Sequence, residues 1–137
     1  MSVPATADTS AGVAPWVSRI FWIDGLAALS AGAFVLVLRG FLAELYALPL
    51  ALITSIGLVN VGYSAFGLTL AVKKRRRAAL IAGLAAANYS WGFVCLSFVI
   101  RFASAAHPLG FAHILFEATF VAALATVEWK NRRALAR

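Results

Sequence analysis

Four long apolar segments account for most of the pattern of hydrophobic and polar positions along the chain. They cover approximately residues 17–38, 49–72, 78–100 and 108–127. Each is long enough to cross a hydrocarbon core of about 30 Å as an α-helix, which rises about 1.5 Å per residue. Their apolar and polar positions do not alternate as those of a membrane barrel strand do. The sequence therefore predicts an all-α, polytopic membrane protein with four transmembrane helices.

The connections between these segments are short, which favours antiparallel packing of consecutive helices. We therefore expect an up-down-up-down bundle over residues 16–129. Pro49 and Pro108 agree with this division, because each lies at or near the first turn of a segment, where proline costs no hydrogen bond. The connection at 39–48 is amphipathic and is predicted to be a short interfacial helix. Its apolar face would carry Phe41, Leu42, Leu45 and Tyr46, opposite Glu44.

Composition supports a lipid environment for the apolar segments. Of the 137 residues, 63% are hydrophobic and 12% are charged. A soluble domain of this size could not hide so much apolar surface from water. Residues 1–15 are rich in small and polar types and are predicted to be a disordered lead-in. The single cysteine, Cys95, excludes an intrachain disulfide and a cysteine-based metal cluster.

Positive charge is concentrated next to the apolar segments and in a predicted basic tail at 130–137; the chain has 12 Lys and Arg residues and a net charge of +7. With the loop at 73–77 in the cytoplasm, all of them except Arg39 and Arg101 fall on the cytoplasmic side. This distribution predicts a bacterial-type inner (plasma) membrane protein with cytoplasmic N- and C-termini. No nucleic-acid motif accompanies the charges, so we expect no nucleic-acid partner. The residues expected to contact anionic lipid headgroups are Lys73, Lys74, Arg75, Arg76 and Arg77.

Polar side chains at membrane depth are the candidates for function, because placing them in lipid is costly. Counted from the cytoplasmic end of each helix, Asp24, Asn60, Asn88 and Glu117 fall within a layer about 8 Å thick. His113 lies one turn from Glu117 on the same helical face. Each of the four helices is therefore expected to contribute a polar group to one central layer.

Glu117 is the most informative of these residues. An ionised carboxylate in lipid is expensive, so this side chain must find a partner, meet water or stay protonated. We expect it to face the bundle interior, within hydrogen-bond reach of Asn60, Asn88 or Trp91. Two interpretations stay open. Glu117 is either a proton or cation site with His113 as its partner, or a protonated group that fixes helix register.

Asp24 and Trp91 complete the candidate set. Asp24 lies near the cytoplasmic boundary, where an ion pair with Arg19 or the 73–77 loop is the favoured interpretation and ligand binding the alternative. Trp91 lies deep in the third segment, so its indole N–H needs a partner, which a neighbouring polar residue or a ligand would supply. The candidate ligand-binding residues are Glu117, His113, Asn88, Asn60, Trp91 and Asp24.

The second segment carries a seam of small and polar residues spaced three or four apart. This spacing is typical of membrane helices that approach each other closely. We interpret the seam as a helix-packing surface. Its members are Gly57, Asn60, Ser64, Gly67 and Ala71.

The sequence lacks metal, haem and catalytic signatures. The two histidines, His107 and His113, lie on different faces of one segment, so they cannot act as a haem pair across two helices. A zinc site would need three or four ligands. No serine-hydrolase, metalloprotease or phosphate-loop motif is found. We therefore expect no cofactor and no metal.

These observations leave three hypotheses for function. The leading one is a non-enzymatic inner-membrane protein whose polar layer binds a small ligand or a proton, as a transporter-like protein or a ligand-binding subunit. A four-helix bundle is thin, so transport would require a homo-oligomer. The second is an accessory subunit of a larger membrane complex, with a structural polar layer and a seam that docks a partner. The third is an intramembrane enzyme acting on lipid or quinone, with Glu117 as acid or base.

Overall fold

The computed structural model describes residues 13–136, and this part of the chain is entirely helical apart from short connections. Four of its helices, α2, α4, α5 and α6, are long and apolar enough to cross a membrane. They indicate a multi-pass membrane protein, as the sequence predicts. Most of the predicted disordered lead-in lies outside the described residues. The helices are α1 (Pro15–Ser18), α2 (Ile20–Val37), α3 (Arg39–Tyr46), α4 (Leu50–Val72), α5 (Ala78–Arg101) and α6 (Pro108–Leu135).

The structure differs from the predicted bounds at both ends of the chain. The first apolar segment is divided at Arg19 into the short α1 and the longer α2. The last helix does not end near Val127 but continues to Leu135, so most of the predicted basic tail is helical. Lys, Arg, Ala and Leu have high helix propensity, and Leu135 is buried against the apolar residues of the other helices. Packing and propensity together therefore extend α6 beyond its apolar stretch.

The long helices are associated in two pairs. Helix α2 packs along α4, and α5 packs along α6, whereas direct contacts between the two pairs are few. Close approach inside the α2/α4 pair depends on glycine. A Cβ added to Gly32 would lie 2.8 Å from the backbone nitrogen of Val61, and one on Gly67 would lie 3.1 Å from the Cα of Gly25. The small-residue seam of α4 thus packs against α2 within the same chain and is not free to dock a partner.

Helix α3 connects the α2/α4 pair to α6. Its C-terminal residue Tyr46 is buried, and its carbonyl accepts a hydrogen bond from the backbone N–H of His107, with an N···O distance of 2.8 Å. Gly110 of α6 packs directly on Tyr46, since a Cβ at that glycine would lie 2.8 Å from the Tyr46 Cβ. Of the predicted apolar face of α3, Leu42 and Tyr46 are buried, while Phe41 and Leu45 are exposed.

Two apolar clusters close the two ends of the molecule. The first, here called the basic-end cluster, lies beside the 73–77 loop. Arg76 of that loop donates to the carbonyls of Leu70 and Ala71, at 2.6 and 3.0 Å, and lies over the ring of Phe21. The second, the α3-end cluster, comprises Val35, Leu42, Tyr46, Leu48, Ile53, Cys95, Ile114 and Ala118. The basic-end cluster comprises Val17, Ile20, Phe21, Leu70, Ala71, Ile81, Leu84, Leu124 and Leu135.

Candidate intramembrane binding site

A cavity of about 550 Å³ lies where the two helix pairs face each other. All four long helices line it, and its volume is in the range of about 300–1,000 Å³ that is usual for small-molecule sites. Alanines form much of its wall, because their short side chains leave space between the pairs. The alanines are Ala27, Ala28 and Ala31 of α2 and Ala87 of α5.

One side of the cavity reaches the lipid-facing surface. Val59 of α4, Val94 of α5 and Phe116 of α6 line the cavity, and all three are also exposed. Phe116 is 71% exposed and stacks on Phe120, which is a second lining residue. These apolar side chains form a border between the cavity and the bilayer.

Glu117 organises one group of polar side chains in the cavity, here called the Glu117 cluster. Its Oε1 atom accepts hydrogen bonds from Asn60 Nδ2 at 2.7 Å and from Trp91 Nε1 at 2.6 Å. The predicted contact of Glu117 with Asn60 or Trp91 is therefore confirmed. Its Oε2 atom lies 3.8 Å from Nε2 of His113, which is too long for a direct hydrogen bond. One carboxyl oxygen thus accepts two hydrogen bonds, while the other accepts none from the described residues, and Glu117 lines the cavity.

His113 connects the Glu117 cluster to α3. Its Nδ1 atom lies 3.0 Å from the hydroxyl oxygen of Tyr46. Burial raises the pKa of Tyr46, so this hydroxyl keeps its proton and can donate to Nδ1. In that tautomer the Nε2–H of His113 points toward Glu117. The phenol, the imidazole and the carboxyl group therefore follow one another from the α3 end into the cavity, and the step from His113 to Glu117 is longer than a hydrogen bond.

A second polar group, here called the carboxyl-pair cluster, lies toward the basic end and takes one residue from each long helix. Tyr63 of α4 donates to Asp24 Oδ2 of α2 at 2.5 Å. The amide of Asn88 of α5 lies 3.4 Å from that oxygen and 3.3 Å from Glu128 Oε2 of α6. The same amide therefore lies between the two carboxyl groups. Asp24 and Glu128 are 2% and 0% exposed.

The favoured interpretation of Asp24 is wrong. The structure does not place Asp24 in an interfacial ion pair with Arg19 or the 73–77 loop, because its carboxyl group points inward to Tyr63 and Asn88. The basic-end cluster packs between Asp24 and that loop. Among the described residues, a salt-bridge distance is found only between His113 and Glu117.

The four residues of the predicted polar layer all line the one cavity, but their hydrogen bonds divide them into two groups, with Asn60 and Glu117 in one and Asp24 and Asn88 in the other. Asn88 contacts Asp24 and Glu128 and forms no hydrogen bond with Glu117 or Trp91 in the described residues. Glu128, which the predicted layer did not include, lies three turns of α6 from Glu117, about 16 Å along the helix axis.

Two site residues escaped the sequence analysis. Glu128 lies one residue beyond the predicted fourth helix, next to basic residues, and so falls outside the segments in which polar residues at membrane depth were sought. The available signal was its spacing from Glu117, since a separation of about three full turns puts both on one helical face. Tyr63 has a similar signal, because it follows Asn60 by three residues and therefore shares its face.

The arrangement suits a molecule that is mostly apolar but carries a hydrogen-bond donor. Alanine, valine and phenylalanine side chains would cover the apolar body. Comparison of the chain with protein-family models, with curated proteins and with solved structures gives no match. The function is therefore argued from the cavity and its two polar clusters.

Proposed function

We propose that this chain is a non-enzymatic membrane protein that binds a small, largely apolar molecule in the cavity between its two helix pairs. The ligand would place an amine or hydroxyl group against Glu117. The observation that carries this proposal is a cavity of about 550 Å³ with mainly apolar walls and one carboxyl group that offers an accessible oxygen.

The geometry at Glu117 selects the ligand's polar group. Asn60 and Trp91 both donate to Oε1, which holds the carboxyl group in one orientation. Oε2 has only His113 nearby, at 3.8 Å, and so retains the capacity to accept a hydrogen bond from a ligand. An ammonium group would also neutralise the carboxylate, which is costly to leave charged at membrane depth. A lipophilic amine is therefore the best chemical fit.

The ligand would enter from the bilayer, because Val59, Val94 and Phe116 form an apolar border between the cavity and the lipid-facing surface. This route supports a ligand-binding subunit more directly than a channel across the membrane. A transporter-like role would add a second opening and, in so thin a bundle, a homo-oligomer.

Our proposal includes an up-down-up-down bundle in a bacterial-type inner membrane, with both termini in the cytoplasm. The positive-inside distribution of Lys and Arg supports this orientation. Within the 73–77 loop, Arg76 caps α4, while the other basic residues are exposed. The residues proposed to contact anionic lipid headgroups are therefore chiefly Lys73, Lys74, Arg75 and Arg77.

A second candidate function is an accessory subunit whose polar clusters only hold the helices together. The hydrogen bonds from Asn60 and Trp91 to Glu117 favour it, because they join α4 and α5 to α6 without any ligand. The two candidate functions differ in whether a ligand occupies the cavity. The ligand-binding protein requires one, whereas the accessory subunit does not.

Binding of naphthylethylamine to the purified chain in nanodiscs distinguishes the two candidates. We expect this amine to raise the unfolding temperature, and ethylnaphthalene, which lacks a donor, to have little effect. Glu117→Gln keeps the shape of the side chain but removes its charge, so we expect amine binding to weaken about tenfold to a hundredfold. Glu44→Gln, at an exposed carboxyl on α3, is the matched control. Equal effects of the amine and the hydrocarbon in all variants would favour the structural role.

A further inference from the structure

The carboxyl-pair cluster is separate from the ligand contact at Glu117 and has a chemistry of its own. We propose that Asp24 and Glu128 form an intramembrane proton-binding site, which holds one proton between the two carboxyl groups and thereby keeps the two helix pairs together. This inference does not depend on ligand binding at Glu117.

The first argument is the position of two buried carboxyl groups against one amide. The Asn88 amide nitrogen lies 3.4 Å from Asp24 Oδ2 and 3.3 Å from Glu128 Oε2, and the two carboxyl residues are 2% and 0% exposed. With both groups ionised, two negative charges would share this one neutral amide, so we expect one of them to carry a proton. Two carboxyl groups that share a buried site behave in this way, because like charges at short distance cannot both be ionised.

The second argument is an unpaired buried oxygen. Glu128 is 0% exposed, and its Oε1 atom has no hydrogen-bond partner among the described residues. Buried polar atoms without partners are rare in folded proteins. The neutral form of a carboxyl group is less costly than a carboxylate to bury when one of its oxygens has no partner. The orphaned oxygen therefore favours a proton on Glu128.

No basic side chain of the described residues contacts the pair and could replace that proton. Arg132, one turn after Glu128 on α6, donates to the Trp129 carbonyl and lies over the Trp129 ring. From α4 the pair is faced by the neutral hydroxyl of Tyr63, and from α5 by the neutral amide of Asn88. Helix α1, which also contacts α2 and α6, contains no titratable side chain. Arg76 is engaged with the α4 carbonyls and the Phe21 ring. Neither carboxyl group is within salt-bridge distance of a basic side chain in the described residues.

The cavity provides the route by which a proton can reach the pair. Asp24, Tyr63 and Asn88 are among the residues that line the cavity. On the other side lies the basic-end cluster, whose members Phe21 and Leu84 precede Asp24 and Asn88 by about one helical turn. Exchange is therefore expected from the cavity side.

The position of the pair gives its occupancy a structural consequence. Asp24 and Tyr63 belong to the α2/α4 pair, while Asn88 and Glu128 belong to the α5/α6 pair. Between the apolar clusters at the two ends, the other hydrogen bond that joins the pairs in the described residues is that of Asn60 with Glu117. When the proton is bound, the cluster forms a hydrogen-bonded connection between them. When it leaves, two carboxylates face each other in a medium of low dielectric constant and repel.

Infrared spectroscopy of the full chain in nanodiscs tests whether the proton is present. We expect a C=O stretching band of a protonated carboxyl group at neutral pH, and a loss of intensity in Glu128→Gln. Glu44→Gln, whose carboxyl group is exposed, should leave the band unchanged. If Glu128→Gln does not fold, the double variant Asp24→Asn/Glu128→Gln, with two neutral amides, takes its place. A wild-type spectrum without this band at neutral pH would overturn the proposal. Full retention of the band in Glu128→Gln, or in the double variant if that takes its place, would overturn it as well.

Thermal unfolding as a function of pH tests the structural consequence. The folded state keeps a proton that a free carboxyl group releases near pH 4, so folding takes up a proton at neutral pH and stability falls as the pH rises. For one proton the folding equilibrium constant should fall about tenfold more per pH unit in the wild type than in Glu128→Gln or the double variant. Glu44→Gln should follow the wild type. Identical pH profiles for all of these proteins would contradict the proposal.

Discussion

The interface inside the α2/α4 pair and the space between the two pairs are built from different side chains. Inside the pair, Gly25 and Gly32 bring the backbones of α2 and α4 into direct contact. Between the pairs, alanines and aromatic residues leave a cavity, which polar groups cross and the two apolar clusters close at its ends. Lipid is as apolar as leucine, so membrane helices associate through close packing and hydrogen bonds. This molecule uses glycine contacts along the whole of the α2/α4 interface, and polar groups in the middle of the interface between the pairs.

This difference predicts that substitutions in the glycine interface have the largest effect on folding. Gly67→Leu would force a side chain against Gly25, whose Cα lies 3.1 Å from the position of a Cβ at residue 67. We expect the free energy of unfolding to fall by several kcal/mol, or the variant not to fold. Overpacking of a tight interface typically costs about 1–3 kcal/mol, and leucine is far larger than the space. Equilibrium unfolding in detergent measures this free energy.

Gly62→Leu is the matched control for this substitution, because it lies on the same helix and nothing lies within 4 Å of an added Cβ. It should leave stability unchanged or slightly higher, since leucine favours helix more than glycine. If both variants lost the same free energy of unfolding, contact with α2 would not be the cause of the loss, and the prediction would be wrong.

The connection between the pairs should be weaker and depend on polar groups. Asn88→Leu removes the amide that lies between Asp24 and Glu128. We expect the free energy of unfolding to fall by about 1–3 kcal/mol, the usual cost of leaving buried polar partners unsatisfied. The control is Asn131→Leu, because Asn131 donates only within its own helix, to Val127. If Asn131→Leu destabilised the protein as much as Asn88→Leu does, the claim that Asn88 stabilises the fold by joining the two helix pairs would be contradicted.

The smallest expected effect is at the α3 end. Tyr46→Phe deletes the hydroxyl that contacts His113 and should cost about 0.5–1.5 kcal/mol. Because burial raises the pKa of Tyr46, the contact is fully present below about pH 10 and is lost as the pH rises further. The ¹⁵N chemical shift of His113 Nδ1 should change in Tyr46→Phe but not in Tyr89→Phe, whose hydroxyl contacts Thr126. An unchanged shift would show that the hydroxyl is not a partner of the imidazole.

The sequence predicts the four long helices because their apolar composition is a local property that the bilayer selects for. It also predicts that Glu117 meets Asn60 or Trp91, since a mid-membrane carboxyl group has few ways to be satisfied. These expectations depend only on residue type and on position within an apolar segment, and both can be taken directly from the sequence.

The second polar cluster could not be predicted in the same way. Glu128 follows the apolar stretch, and only the packing of Leu135 and its neighbours shows that α6 continues with this residue inside. Asp24 is close to basic residues in sequence, but the rotation of α2 turns it toward Tyr63 and Asn88. The helix pairing likewise depends on glycine contacts that spacing suggests but cannot assign to a particular partner helix.

The central claim is that the space between the two pairs is a binding cavity, and filling that space tests it most directly. Ala31→Phe places a large side chain in the wall of the cavity, whereas Ala33→Phe places the same side chain on an exposed part of α2 outside it. Affinity for naphthylethylamine should be measured for both variants and the wild type in nanodiscs. We expect Ala31→Phe to weaken binding at least tenfold while Glu117 is intact, and Ala33→Phe to match the wild type. Undiminished binding to a folded Ala31→Phe variant would contradict the account.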